Sequence, residues 1–289
     1  MKYIIGVDVG GFDSEIILIK KNKILKFKSF KTPKQRKEFL DLLLQEIDLI
    51  MGNISKKKID FIGVCAPGPV NSKKGILINP PNLKNCQNLN LVKIIGDKFK
   101  IKTFLENDAN CAAIISAEIR NVNNLVFLTL GTGLGSGVVI NKKLYKGKLM
   151  ASEIGHTTIN FDGLKCSCGN IGCFEQYVSI RAMNRYIDKY FNERISIYEL
   201  RKKVEKGDKK ALKVCDEFGK YLGIGLANVS NIFDPEIIVL GGGLSNFGKY
   251  ILNPTLKEMK KRVLFRSAKV EFSRIKNVCV RGACLLNQV

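Results

Sequence analysis

The sequence has no apolar run approaching the roughly 20 residues of a membrane-spanning helix, which excludes a transmembrane protein. The segment before the first acidic residue, Asp8, is too short for a secretory signal peptide, so a cytoplasmic location is expected. In that compartment the nine cysteines are expected to be free thiols or metal ligands rather than a disulfide framework.

Arginine is scarce, contributing only 10 of the 48 basic residues, although the net charge is +22. Base recognition in nucleic acids favours the planar arginine fork, and the lysines are spread along the chain in runs no longer than Lys56–Lys58. Nucleic acid is therefore not an expected partner. The charge should still attract small anionic ligands such as nucleotides.

Two familiar nucleotide motifs are also missing. There is no GxxxxGK[ST] loop, and a strand rather than a helix is predicted after each glycine turn, unlike the dinucleotide fingerprint. What is present is a repeated strand–turn–strand pattern. It occurs around Gly10-Gly11 and again around Gly131 to Gly137. The repetition predicts a duplicated α/β architecture with a nucleotide between its halves.

Glycine at these turns lets backbone N–H groups approach phosphate oxygens, and Thr132 adds a hydroxyl donor. Asp8, at the end of the first strand, can hold Mg²⁺ through water. A single turn of this kind is commonly only a hairpin. The pair favours phosphate binding by Asp8, Gly10, Gly11, Gly131, Thr132 and Gly133.

Asn107 and Asp108 lie between a predicted strand and an alanine-rich helix. One interpretation is structural, with Asp108 as the helix N-cap. The other is chemical: Asp108 accepts a proton from an alcohol that attacks phosphorus, while the amide of Asn107 binds neighbouring hydroxyls.

The strongest local signal is a set of three cysteines and the only histidine in the chain. His156, Cys166, Cys168 and Cys173 supply the ligands of a closed tetrahedral zinc site, with a redox CxC pair as the alternative. Glu153 and Glu175 flank this cluster. Carboxylates held by such a loop can grip the vicinal hydroxyls of a sugar.

Taken in order, these motifs resemble the ROK (repressor, open reading frame, kinase) family of sugar kinases from residue 4 to about residue 284. The matching segments are Gly6-Val7-Asp8-Val9-Gly10-Gly11, Pro67-Gly68-Pro69-Val70, Pro81-Asn82-Leu83, Glu106-Asn107-Asp108-Ala109-Asn110, Leu128 to Gly135, Glu153-Ile154-Gly155-His156, Cys166 to Glu175 and Val239-Leu240-Gly241-Gly242-Gly243.

The resemblance implies the actin-like ATPase fold, a duplicated ribonuclease H-like α/β fold of two domains with an active-site cleft between them. It implies Asp108 as general base and a sugar site formed by Gly68, Asn82, Asn107, Asp108, Glu153, His156 and Glu175. It places Gly241, Gly242 and Gly243 near the adenosine. We expect a small domain of residues 1–106 plus about 280–289, and a larger domain of residues 107–279 with the zinc loop.

The chain departs from the family pattern in two places. Phe12 and Asp13 follow the first glycine pair, where the family usually has threonine and lysine. Asp13 either turns away or helps Asp8 with the metal, or else it makes the site too repulsive for a nucleotide. Ser152 stands where the family usually has glycine, which is expected to tilt Glu153.

The predicted activity is ATP-dependent phosphorylation of a hexose 6-hydroxyl, with glucose as substrate, Mg²⁺ as cofactor and zinc as a structural ion. An N-acetylmannosamine or other N-acetylhexosamine kinase is one alternative, and a catalytically weak sugar-binding regulator is another. The family resemblance also implies a homodimer. A DNA-binding helix-turn-helix is not expected, because no room precedes the first strand.

Overall fold

The computed structural model describes residues 2–80 and 83–288. They form two compact units. Unit 1 comprises Met1–Asn121, Gly137–Ala151 and Ile275–Val289, and unit 2 comprises Val122–Ser136 and Ser152–Arg274. Unit 1 thus retains the helix after Asn107, which the expected domain division assigned to the larger domain. That functional division remains a prediction.

The strands are β1 (Tyr3–Asp8), β2 (Asp13–Lys20), β3 (Lys23–Lys31), β4 (Ile59–Ala66), β5 (Val70–Asn71), β6 (Ile76–Leu77), β7 (Leu89–Asn90), β8 (Thr103–Asn107), β9 (Leu125–Leu130), β10 (Leu134–Ile140), β11 (Lys143–Leu144), β12 (Ile237–Gly241) and β13 (Lys269–Phe272). The α-helices are α1 (Arg36–Met51), α2 (Leu91–Phe99), α3 (Asp108–Arg120), α4 (Glu175–Val178), α5 (Ile180–Tyr190), α6 (Ile197–Glu205), α7 (Lys209–Phe233), α8 (Lys249–Lys260) and α9 (Val278–Ala283).

The first sheet has the strand order β3-β2-β1-β4-β8. Strands β1, β2 and β3 form an antiparallel meander, and β4 and β8 continue the sheet in parallel. The interior strand β4 is almost continuously buried, as expected for a strand covered on both faces. The edge strand β3 is mostly exposed and rich in lysine, which discourages pairing with other chains.

The second sheet has the order β11-β10-β9-β12-β13, with β9, β12 and β13 parallel. Its order corresponds strand for strand to that of the first sheet, so the predicted duplication is confirmed. In both cases the sequence signal was a strand, a glycine turn and a second strand. None of the helices described for residues 2–80 and 83–288 combines the length and the apolar character that a membrane span requires.

The C-terminal helix α9 packs within unit 1. Val280 and Cys284 lie in one hydrophobic cluster with Ile17 and Ile19 of β2. Gly282 faces the backbone carbonyl of Cys111 in α3 so closely that a Cβ atom would overlap it. Glycine at this position therefore lets α9 approach α3.

One local prediction needs correction. The N-cap of α3 is Asn107 rather than Asp108: the Asn107 side-chain oxygen accepts hydrogen bonds from the amides of Ala109 and Asn110. Asp108 is instead the first residue of the helix.

Candidate active site and metal cluster

The first glycine turn follows Asp8 at the carboxyl end of β1. A Cβ atom on Gly10 would overlap the carbonyl oxygen of Asp13, so the backbone of this turn has no room for a side chain there. Val9 is anchored by its amide, which donates to the carbonyl of Cys65 in β4. Glycine at position 10 is therefore required for the close approach of the chain within this turn.

Asp8 and Asp108 are neighbouring carboxylates within unit 1. Burial and then the negative charge of Asp108 raise the pKa of Asp8 to about 7 from the usual 3.8, and a hydrogen bond with the Cys65 thiol only partly opposes this. Two carboxylates that repel each other in a partly buried place are a donor set suited to a divalent cation, because a cation relieves both burial and repulsion. The residues thus fit the expected Mg²⁺ chemistry.

Asn107 is fixed from several sides. Its side-chain oxygen caps α3, and its own amide donates to Glu106 Oε1 at 2.9 Å. A Cβ atom on Gly68 would stand 3.1 Å from Asn107 Nδ2, so unit 1 brings these two predicted sugar-binding residues together. The capping role occupies the oxygen and leaves the Nδ2 end facing Gly68.

Glu106 supports the site, although no role was predicted for it from the sequence. Its side chain is buried, its Oε1 also accepts from Asn110 Nδ2 at 3.0 Å, and Lys146 Nζ lies 3.2 Å from its Oε2. A buried carboxylate with these partners holds the β8–α3 junction, and hence Asn107 and Asp108, in one position. The only sequence signal was its place in the Glu106-Asn107-Asp108 motif.

Asp13 turns away from the first glycine turn. It is the cross-strand partner of Lys31, and its carboxylate lies 2.8 Å from Lys31 Nζ. Phe12 is exposed, and Lys34 Nζ lies 4.7 Å from the centroid of its ring. Lys34 was missed by the sequence interpretation, because no motif marks it.

The second glycine turn lies in unit 2, between β9 and β10. The Gly131 amide donates to the carbonyl of Gly133, while Thr132 is exposed. Glu175, at the start of α4, accepts a hydrogen bond from the Leu134 amide at 2.9 Å and leaves no space for a Cβ atom on Gly133. Glu175, which is predicted to bind the sugar, therefore contacts the glycine turn that is predicted to bind phosphate.

Glu153 follows a residue with left-handed backbone geometry. Ser152 has φ of 65°, a conformation that glycine adopts without strain and serine does not. The loop is held by Ser136, whose side chain donates to the Ser152 carbonyl and accepts from the Ile154 amide at 3.2 Å. Glu153 itself is exposed, as expected for a residue that meets a ligand.

The predicted metal-ligand set converges in unit 2. The ligand atoms of His156, Cys166, Cys168 and Cys173 all lie within 4.8 Å of one another. Cys166 Sγ is 3.7 Å from His156 Nδ1, and Cys168 Sγ is 3.6 Å from Cys173 Sγ. Nδ1 therefore faces the sulfur atoms and Nε2 remains for another partner.

The electrostatics of the cluster favour a thiolate. Burial raises the pKa of Cys166, but hydrogen bonds from the Cys168 amide and from the surrounding thiols and His156 lower it to about 6. A thiolate beside two further thiols and an imidazole is a donor set that fits a tetrahedral Zn²⁺ ion. All nine cysteines are free thiols, and of the six outside the cluster five are buried and Cys279 is partly buried.

The third glycine segment follows β12. A Cβ atom on Gly241 would stand 2.6 Å from the Phe127 ring, and Gly242 has φ of 86°, so both glycines serve the packing of unit 2. Gly243 has open space around its Cβ position. Among the three glycines predicted to lie near the nucleotide, Gly243 is thus the one for which packing does not account for the choice of glycine. Asn82 lies outside the described residues.

The chain resembles proteins of one family over nearly its whole length. The family model of the ROK family matches residues 4–285. The chain belongs to the ROK family. It is 33% identical to a xylose repressor of Caldicellulosiruptor bescii, over 98% of this chain and 77% of that protein. It is 32% identical to the N-acetyl-D-glucosamine kinase of Mannheimia succiniciproducens, over 92% of this chain and 91% of that protein.

The structure is similar to that of a ROK family glucokinase from Streptomyces griseus in complex with glucose and AMPPNP. The TM-score is 0.85 with 27% identity, covering 99% of this chain and 100% of that one. The actin-like ATPase fold of ROK sugar kinases is thus confirmed. The chain spans only 53% of the Bacillus subtilis xylose repressor. Similarity over nearly the full length of kinases supports an enzyme of the sugar-kinase class.

Proposed function

We propose that this ROK protein phosphorylates the 6-hydroxyl of a hexose, with glucose as the preferred substrate and ATP as phosphate donor. The observation that carries the proposal is the pair of carboxylates, Asp8 and Asp108, beside the first glycine turn in unit 1. Their repulsion suits a site where one binds a cation and the other accepts a proton.

In this proposal Asp108 is the general base. It stands in the first turn of α3, where Asn107 caps the helix and Glu106 fixes the junction. Asp108 takes the proton of the sugar hydroxyl at its carboxylate, and Asn107 Nδ2 and Gly68 position that hydroxyl. Bound Mg·ATP supplies the transferable phosphoryl group. The proposed nucleotide-binding residues are Asp8, Gly10, Gly11, Gly131, Thr132, Gly133, Gly241, Gly242 and Gly243.

Four further residues are proposed to contact the sugar. Glu153, Glu175 and the Nε2 atom of His156 bind hydroxyls, and Asn82 is a further proposed contact. We infer that His156, Cys166, Cys168 and Cys173 hold one structural zinc ion, because four protein ligands leave no position for a reactive water. The proposal also includes a homodimer and a cytoplasmic location.

Two other functions have specific support. Similarity to an N-acetylglucosamine kinase favours an N-acetylhexosamine substrate, and similarity to a xylose repressor favours a sugar-binding regulator. A coupled ATPase assay across glucose, other hexoses, N-acetylhexosamines and xylose separates the three. Turnover with glucose above all others supports the proposal. Sugar binding without turnover supports the regulator.

Asp108→Asn tests the role of the base. We expect kcat to fall on the order of 10²–10⁴-fold, since asparagine cannot accept the proton. Sugar affinity and thermal stability should change little, because the side-chain oxygen that accepts from the Ala109 amide is retained. Asp48→Asn, at an exposed position in α1, is the matched control and should keep full activity. Near-normal turnover in Asp108→Asn would remove Asp108 from the mechanism.

A further inference from the structure

The ammonium group of Lys34 lies at the first glycine turn, although Lys34 belongs to none of the sequence motifs. It lies in the connection between β3 and α1, 23 residues after Gly11. Its Nζ donates to the carbonyl oxygen of Gly11 at 2.7 Å and lies 4.7 Å from the centroid of the Phe12 ring. Its own carbonyl accepts from Asn85 Nδ2 at 3.1 Å, which fixes the backbone. The ammonium group is therefore anchored on two sides.

The charge of Lys34 is not neutralised by a carboxylate among the described residues. Asp13, the acidic residue that follows Phe12, is paired with Lys31 on the neighbouring strand. A lysine ammonium has three N–H donors, and the Gly11 carbonyl takes one. Two donors and the positive charge therefore remain at the first glycine turn. Such a group is complementary to a phosphate.

Phe12 explains why the ammonium stays at the turn. Its side chain is 66% exposed, although phenylalanine side chains are mostly buried in folded proteins. The face of an aromatic ring attracts a cation, and the ring limits the rotamers open to the lysine. Phe12 therefore acts as a platform that orients Lys34.

We propose that Lys34, oriented by Phe12, binds the phosphate oxygens of the nucleotide donor. The inference rests on the proposed kinase function and names the cationic group of its donor site. Lys34 contributes binding and charge compensation at the first glycine turn, while Asp8 contributes the metal contact. It takes no part in the proton transfer assigned to Asp108.

The test is nucleotide binding by isothermal titration calorimetry, with AMPPNP and Mg²⁺ and without sugar. We expect Lys34→Met to weaken AMPPNP binding about 10- to 100-fold, the effect of removing a charged hydrogen bond to phosphate. Lys34→Arg should recover part of the affinity. Phe12→Leu, which keeps an apolar side chain but removes the ring, should weaken binding about 2- to 5-fold.

Lys37→Met is the matched control, since Lys37 is an exposed lysine in the first turn of α1 and loses the same charge. Its AMPPNP affinity should stay within twofold of the wild type. Glucose affinity and the melting temperature should be unchanged in all variants, which separates a binding role from a structural one.

Equal AMPPNP affinity in the wild type and Lys34→Met would overturn the inference while leaving the kinase proposal intact. Equal loss in Lys34→Met and Lys37→Met would also overturn it, since the effect would then be one of general charge. A wild type that binds no nucleotide would overturn both proposals. If Lys34→Met fails to fold, Lys34→Arg and Phe12→Leu decide: unchanged affinity in both contradicts the inference.

Discussion

Asp8 shows how one residue can be unfavourable for the fold and necessary for the site. Its pKa is raised to about 7 by burial and by Asp108. Ionisation of Asp8 therefore lowers the free energy of unfolding of the unliganded protein. Between about pH 4 and pH 7 the folded state binds more protons at Asp8 than the unfolded chain does. The contribution of Asp8 to the free energy of unfolding therefore falls as pH rises through this range.

Asp8→Asn should accordingly stabilise the nucleotide-free protein at pH 8 more than at pH 5. We expect the gain in free energy of unfolding to differ by about 1–2 kcal/mol between the two pH values, after allowing for the partial exposure of Asp8. Thermal unfolding of both proteins at both pH values measures this, and the variant should lose Mg²⁺-dependent nucleotide binding. A stabilisation independent of pH would contradict the prediction.

Ser152 carries local strain next to Glu153. A serine at φ of 65° is less favourable than glycine there, although the hydrogen bonds with Ser136 hold it. We expect Ser152→Gly to raise the free energy of unfolding by up to about 1 kcal/mol, because relief of strain outweighs the added freedom of the unfolded chain. Ser152→Ala keeps the strain and serves as control. A lower melting temperature in Ser152→Gly than in Ser152→Ala would contradict this.

At the scale of elements, the loop from His156 to Cys173 depends on its metal-ligand set rather than on regular structure. Short turns support it, such as the Gly172 amide donating to Leu164 and the Cys166 amide donating to Asn170. A metal that joins both ends of the loop would fix His156 and Glu175 at once, since Glu175 begins α4 two residues after Cys173.

Cys168→Ser should therefore raise the sugar KM and lower the melting temperature together, while bound zinc falls from one per chain toward zero. Elemental analysis, steady-state kinetics and thermal unfolding measure the three effects. Cys86→Ala, at a buried cysteine outside the cluster, is the control that should keep its zinc. Purified wild-type protein without zinc would contradict the structural role.

The whole molecule carries a net charge of +22, which surrounds any nucleotide site with a positive field. Salt screens such a field over roughly 10 Å at 0.1 M. We expect the KM for ATP to rise several-fold between low salt and about 0.3 M salt, while the KM for an uncharged hexose changes less than twofold. Equal salt dependence of both constants would show that the charge does not serve nucleotide capture.

Features that depend on short spacings could be predicted from the sequence alone. The two strand–turn–strand units, the order of motifs and the four candidate metal-ligating residues all follow from local pattern, because glycine turns and ligand spacings are constrained over short stretches of chain. The Cys₃His set was therefore predictable to the residue. The N-cap of α3 was misassigned between Asn107 and Asp108, since both residue types cap helices equally well.

Tertiary structure decided the contacts between distant residues. The pairing of Asp8 with Asp108, the bond from the Leu134 amide to Glu175 and the position of Lys34 at Gly11 join residues 100, 41 and 23 positions apart. No local pattern encodes them, because they depend on which strands become neighbours in the sheets and where a connection crosses a turn. The functional groups could thus be identified from the sequence, whereas the packing of strands and connections determines which of these groups come into contact.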